Sequence, residues 1–508
     1  MKYFVNVTGI IYLSMFILFS CQEKEKQLGA LVEPTSVLYD TTLKPFYHGV
    51  ASGDPLSDRV IIWTRVTPVD SVPAIDVQWQ ISKDLNFSGI VAADTVATNP
   101  GRDYTVKVDV TGLESDQVYY YRFIALGKTS VTGKTKTTPL NAKDSLKFAV
   151  VSCSNWEFGY FNAYSSIAEK DLDAVLHLGD YIYEYATGKY GDTTIGRFNL
   201  PSHEIVSLQD YRTRHSQYRL DRGLHDVSKA HPFITIWDDH EFANNVYNAG
   251  AQNHQPDKEG NFEERKAAAR QAYYEWLPIR ESENLYRSFS YGNLAQLIML
   301  DERIEGREAP PATQDVTTAE RTMLGAEQLA WFEKQLQTPA TWKVIGNQVV
   351  YSDVLQGTVF PNMPRNLDSW DGYQAEKKKI KEFILANKIS DIVFVTGDTH
   401  ASWAFEVATD ISAKYKPFAV EFGTTSVSSA NDDEYHSVDT VMLMEKSMLK
   451  ANPHIKYLND RDHGYLLLTL YPQKAKGEWF YVETLREPNA RVKLAKKIEV
   501  AKGSYTLK

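Results

Sequence analysis

The 508-residue sequence predicts an α/β fold with two mixed sheets, preceded by a small antiparallel β-sandwich. Three observations carry that expectation. From Phe46 to Pro139 apolar residues alternate in short runs separated by turn residues, the pattern of half-buried antiparallel strands. From Ser145 onward near-continuous apolar runs alternate with helical periodicity, the pattern of strands covered on both faces. The chain is also too long for one core, so two or three domains are expected.

Taken in order, the chain opens with an export signal: Lys2, an apolar run from Ile10 to Phe19, then Ser20 and Cys21. The run is too short to remain as a spanning helix. Leu18-Phe19-Ser20-Cys21 resembles a bacterial lipoprotein cleavage box, whose Cys becomes the lipidated first residue of an exported, membrane-anchored protein. An ordinary signal peptide cut nearby is the alternative. Residues 1–21 are thus read as a lipoprotein signal peptide and 22–43 as a polar tether. Residues 44–140 form an N-terminal sandwich of immunoglobulin or fibronectin III type, 145–490 the main domain and 491–508 a tail.

The sandwich strands are expected at Val60–Trp63, Val77–Ile81, Tyr104–Val108 and Val118–Phe123. Gly53-Asp54-Pro55, Asn99-Pro100-Gly101 and Gly112 supply the turns between them. The main domain should hold buried strands at Phe148–Val151, Ala174–Leu178, Phe233–Trp237, Leu294–Leu300 and Ile392–Val395. Helices are expected at Phe262–Leu277 and Ala326–Leu336. Apolar runs at Phe418–Val420, Tyr465–Tyr471 and Trp479–Val482 are read as a second sheet.

Composition excludes several classes. A hydrophobic share of 43% with 24% charged residues is that of a globular chain, neither disordered nor a multi-span membrane protein. Fifty-five Lys and Arg against 65 Asp and Glu leave a net charge of −10, which disfavours a nucleic-acid partner held through phosphates. There are two cysteines. If Cys21 carries lipid, Cys153 is alone, and is either a buried filler or a metal ligand.

The chemistry lies where the main-domain strands end. They run into Ser152-Cys153-Ser154, Gly179-Asp180-Tyr181-Ile182-Tyr183, Asp238-Asp239-His240-Glu241, Asp301-Glu302-Arg303 and Gly397-Asp398-Thr399-His400. Open α/β sheets bind ligands beyond the carboxyl ends of their strands, so groups far apart in sequence can converge there. Cys153, Asp180, Tyr183 and His400 offer thiolate, carboxylate, phenolate and imidazole, a set that a trivalent iron favours because it drives deprotonation of thiol and phenol. Asp239, Asp398 and the amides Asn244 and Asn245 are hard oxygen donors suited to Ca²⁺, Mg²⁺ or Mn²⁺. Asp180 has two oxygens with which to bridge.

These blocks carry a resemblance. Gly179-Asp180-x-x-Tyr183 resembles the iron-binding motif of purple acid phosphatases, within the calcineurin-like metallophosphoesterase superfamily. The closer resemblance is to the alkaline phosphatase D (PhoD) family. It rests on Phe46 to Pro55 with Trp63-Thr64-Arg65, on Gly179 to Tyr185, and on Trp237 to Glu241 with Asn244-Asn245. It rests also on Leu300-Asp301-x-Arg303 and Gly397 to Trp403.

The resemblance implies an αββα metallophosphoesterase sandwich with two mixed sheets. It implies Fe³⁺ on Cys153, Asp180, Tyr183 and His400, and one or two Ca²⁺ ions on Asp239, Asn244 or Asn245, and Asp398. The implied activity is alkaline phosphatase or phosphodiesterase chemistry, in which a metal-bound hydroxide or oxide attacks phosphorus. His240 is then expected to assist the leaving oxygen and Arg303 to grip phosphate with its fork. The usual His of the fourth superfamily motif is missing; Asn347 or Gln348, after Val344-Ile345, is the candidate stand-in, and neither is counted among the ligands. The expected partner is a small-molecule or polymer phosphate ester, with the membrane reached by the lipid anchor only and the protein a monomer. Two other readings are carried: a diester-specific enzyme acting on teichoic-acid-like polymers or phospholipids, and a non-catalytic lipid-anchored binding protein.

Overall fold

The computed structural model describes residues 33–508 except 315, 317–319, 409, 412 and 413. The expected signal peptide, Cys21 and the first half of the expected tether lie outside the described residues. Among them, no helix is long and apolar enough to cross a membrane.

Two large sheets organise the main domain. The first has nine strands, with Leu146–Val151, Ala174–His177 and Pro232–Thr235 running parallel at its centre. The second has seven, with Ala295–Met299, Trp342–Asn347, Ile392–Thr396 and Pro417–Gly423 parallel. Alternation along the second sheet assigns its faces. Leu297, Val344, Val393 and Val395 pack into the large core shared with Phe148, Val150 and Leu468 of the first sheet. Their neighbours Ile298, Ile345 and Phe394 pack with Phe332, Leu336, Ile380 and Ile384, from helices Gly325–Leu336 and Gln374–Ala386. Each such strand is covered on both sides, which is why it reads as an unbroken apolar run. Main-domain strands and both expected helices fall where the periodicity puts them, within one or two residues or so at their ends.

Four features differ from the sequence reading. First, the N-terminal region does sandwich a core of Val50, Val60, Ile62 and Val106 against Val77, Trp79, Tyr121 and Phe123. One of its layers, however, is part of the nine-stranded sheet, because Val50–Gly53 pairs in parallel with Pro232–Thr235. Period reports burial but not a partner about 180 residues away. Second, Gly464–Tyr471 and Lys474–Val482 return to the first sheet beside Leu146–Val151, and only Pro417–Gly423 of the late runs joins the second. Third, the expected tail contains the edge strand Val492–Ala501, whose Lys-rich exposed pattern hides it. Fourth, residues 33–43 are packed down rather than free. Glu33 accepts from Arg65 at 2.7 Å, Thr35 bonds Ser216 at 2.8 Å and Tyr39 stacks on Tyr47.

The parallel strands deliver their carboxyl ends to one edge. There the two sheets are stitched by a bridge between Ser152 and Ser426, with Val427 N–H donating to the Ser152 carbonyl at 2.9 Å.

Candidate metal centre

Each functional loop is a sharp turn at a strand end. Cys153, Asp180, Asn245, Asp398 and His400 all have φ between 52° and 63°, a left-handed conformation that costs non-glycine residues energy and clusters at functional sites. Gly179 has φ 104°, and a Cβ there would lie 2.3 Å from the Asp238 Cβ, so only glycine admits the turn that presents Asp180. Glu241 braces the same turn: its carboxylate accepts from Asp180 N–H (3.0 Å), Tyr181 N–H (2.6 Å) and Asp238 N–H (2.8 Å).

Cys153, Asp180 and His400 place one donor atom each within 4.8 Å of one another. Tyr183 joins them, its hydroxyl donating to Asp180 Oδ2 at 3.0 Å and lying 3.3 Å from His400 Nε2. His400 Nδ1 donates to the Ala430 carbonyl at 2.6 Å, which fixes the tautomer and leaves Nε2 as a lone pair facing the group. A second cluster adjoins it: Asp238, Asp239 and Asp398 lie within the same 4.8 Å limit, and Asp180 and Asp239 form a further such set with His240.

The electrostatics fit a cation. Burial, with the charge of Asp180 added, pushes the Cys153 thiol well above its ordinary value. The same two causes raise Tyr183, and burial raises Asp180. Burial holds His400 down at about 4, so its imidazole is neutral. Burial lifts Asp238 to about 8, and Asp239 adds to it against the pull of Arg303. Acids packed this closely without a positive ion keep their protons; a multivalent cation reverses that preference and takes all four donors in their binding form.

The whole chain points the same way. Residues 148–479 match the PhoD-like phosphatase family model, and residues 34–139 match the model of the PhoD-like phosphatase N-terminal domain. The chain is 38% identical over 471 residues to alkaline phosphatase D of Bacillus subtilis (strain 168), covering 88% of this chain and 79% of that one. A solved structure of PhoD superposes with a TM-score of 0.83 at 36% identity, covering 91% of this chain and 92% of the other. The chain belongs to the PhoD-like phosphatase family. It is an enzyme, a PhoD-like alkaline phosphatase of the phosphoric ester hydrolase class, and the reading as a non-catalytic binding protein is set aside.

Within this PhoD-like centre Cys153, Asp180, Tyr183, Asp239, Asp398 and His400 meet, whereas Arg303, Asn244, Asn347 and Gln348 are otherwise engaged. Arg303 is fully buried, with Nε on Asp238, Nη1 on Asp368 at 2.6 Å and Nη2 on Asp398 at 2.9 Å. Its fork is filled by carboxylates rather than held open for phosphate, since it offsets three acids that burial would otherwise penalise. Asn244 turns its side-chain amide to Gln252 at 3.3 Å; its backbone N–H donates to Glu184 at 2.8 Å. Neighbouring Asn245 instead touches the cluster, its N–H donating to Asp239 Oδ2 at 2.6 Å. Asn347 and Gln348 are structural. Asn347 accepts from the Trp370 indole at 3.1 Å, and Gln348 straps the carbonyls of Trp237 and Leu300 at 3.0 and 2.7 Å.

His240 lies where expected, and its partner was unforeseen. Glu184, wholly buried, accepts from His240 Nδ1 at 2.7 Å while its other oxygen takes Asn244 N–H and Asn253 Nδ2, each at 2.8 Å. Burial opposes charge on His240, but Asp239, Glu184 and Asp180 outweigh it and hold the imidazole well above its ordinary value. Glu184 sits one residue past Tyr183, so the motif itself carried a signal for it. Asp368, in an aperiodic loop, and the Ala430 carbonyl, a backbone atom, carried none.

Proposed function

We propose that this chain is an exported, metal-dependent phosphoesterase. Ferric iron would be held by Cys153, Asp180, Tyr183 and His400, and calcium by Asp239, Asp398 and an Asn244–Asn245 loop oxygen. The observation that carries this reading is the gathering of thiol, phenol, carboxyl and imidazole from three separate strand ends, with the thiol and phenol pushed up until a cation takes their protons' place. Such cations would supply Lewis-acid polarisation of a phosphoryl oxygen and acidify water.

The chain's own residues divide the remaining tasks. His240, protonated and fixed through Nδ1 by Glu184, turns its other nitrogen free to hold a proton for a phosphoryl or leaving-group oxygen. Asp180, whose carboxylate shares one group with Cys153 and His400 and another with Asp239 and His240, aligns them. Arg303 keeps Asp238 and Asp398 in place by offsetting their charge. Export with a lipid anchor is supported by the Cys21 box.

Rates on p-nitrophenyl phosphate and bis(p-nitrophenyl) phosphate at alkaline pH test the reading. Hydrolysis of either that disappears on chelation and returns with iron and calcium supports it. Hydrolysis that continues with both metals stripped contradicts it.

A further inference from the structure

A cavity of about 300 Å³ opens beside Asp398 and Thr399, at the edge of the donor groups. Phe360, Trp403, Met448 and Leu458 form an apolar wall, and Asp432 and Asp460 face it. The wall is rigid where it meets the centre: Trp403 stacks on Phe405 at 5.2 Å, and its indole N–H donates to Thr399 Oγ1 at 2.9 Å. Outward it stays apolar, with Phe360 36% exposed. No described lining residue is Lys or Arg. Glu445, the other acid on the lining, is engaged by Arg461 at 2.8 Å, whereas Asp432 and Asp460 turn their carboxyls on each other.

Two consequences follow from elementary energetics. Exposed apolar surface contiguous with a catalytic carboxylate gains free energy when an apolar group covers it. An anionic group entering the same space would leave water to sit beside the Asp432–Asp460 pair, where no described lining residue supplies a counter-charge.

We propose that this cavity is the subsite for one organic substituent of a phosphate diester, with an apolar body and no negative charge. Trp403 and Met448 determine the fit, and Asp432 and Asp460 reject anions. The proposal rests on the phosphoesterase reading of the adjoining centre. It disfavours polyanionic polymers, in which the next phosphate along would enter the cavity.

The test uses metal-loaded enzyme and three p-nitrophenyl diesters whose second substituents are n-hexyl, 6-aminohexyl and 5-carboxypentyl. Each kcat/KM is read as a ratio to p-nitrophenyl phosphate, which has no second substituent. The carboxypentyl ratio should fall about tenfold or more below the hexyl ratio, the cost of roughly one poorly screened charge contact, with aminohexyl at least equal to hexyl. In Asp432→Asn/Asp460→Asn that gap should close at least about threefold, and Met448→Trp should lower the hexyl ratio about tenfold by filling the cavity. A wild-type carboxypentyl ratio equal to hexyl, which needs no variant, overturns the proposal. So does a gap unmoved by the double substitution, or a hexyl ratio unmoved by Met448→Trp. Failure of the wild-type enzyme to hydrolyse even p-nitrophenyl phosphate would instead overturn the phosphoesterase reading.

Discussion

Replacing Glu184 by glutamine should uncouple His240 from the centre while leaving its surroundings almost unchanged in shape. The carboxylate lies 2.7 Å from Nδ1, both groups are buried, and its second oxygen takes two further hydrogen bonds at 2.8 Å. A glutamine can keep its oxygen on the Asn244 and Asn253 donors. Its amide nitrogen then faces Nδ1, donor against donor, so the imidazole must give up that proton. A hydrogen bond to a charged group is worth roughly 1.5–3 kcal/mol. If half or more of that is expressed in the transition state, kcat falls about 4- to 160-fold at 1.36 kcal/mol per decade. The sign of the pH effect is fixed by the direction of the shift. Asp239, Glu184 and Asp180 hold His240 above its ordinary value against burial, so removing one of those charges moves its deprotonation, and the alkaline limb of kcat, to lower pH. The assay is kcat and KM for p-nitrophenyl phosphate across pH, with metal content measured on the same samples. Wild-type kcat and an unmoved alkaline limb, at wild-type metal content, would refute the reasoning.

Cys153→Ala should lose iron and most activity with the fold intact, since the side chain is buried at the cluster and its thiol donates to the adjacent Ser152 at 3.3 Å; elemental analysis beside circular dichroism checks this, and unchanged iron removes Cys153 from the site. Arg303→Lys should lower the denaturant midpoint by roughly 1–3 kcal/mol of stability, because a single ammonium cannot serve Asp238, Asp368 and Asp398 together; unchanged stability with a raised KM would return Arg303 to direct phosphate binding. Acid should weaken the fold through His177 and His215, which burial holds down at about 3. The unfolded chain takes these protons below about 6.5 and the folded chain does not, so stability is full above that pH and falls toward 3 by about 1.4 kcal/mol per pH unit per histidine. His215, with neither ring nitrogen hydrogen-bonded, can be replaced by leucine, and a melting-temperature slope between pH 6 and 5 that does not flatten would contradict this.

The main-domain strands and the ends that bear Cys153, Asp180, Asp239, Asp398 and His400 were legible because burial on both faces writes an unbroken apolar run, and a buried run that stops at a carboxylate stands out. What periodicity cannot carry is pairing across long separations. Val50–Gly53 looks like any sandwich strand until Pro232–Thr235 is beside it, and Gly464–Tyr471 like a second-sheet strand until it meets Leu146–Val151. Arg303 meets a related limit: a guanidinium beside a motif promises a phosphate, but the three acids that fill its fork come from residues 238, 368 and 398. The tautomer of His400 was out of reach altogether, being set by a main-chain carbonyl.

The most direct measurement is elemental analysis of the purified protein combined with visible absorption of wild type and Tyr183→Phe. One iron per chain, with a phenolate-to-iron charge-transfer band that vanishes in Tyr183→Phe, is the predicted result. Fully active enzyme that contains no iron would contradict it.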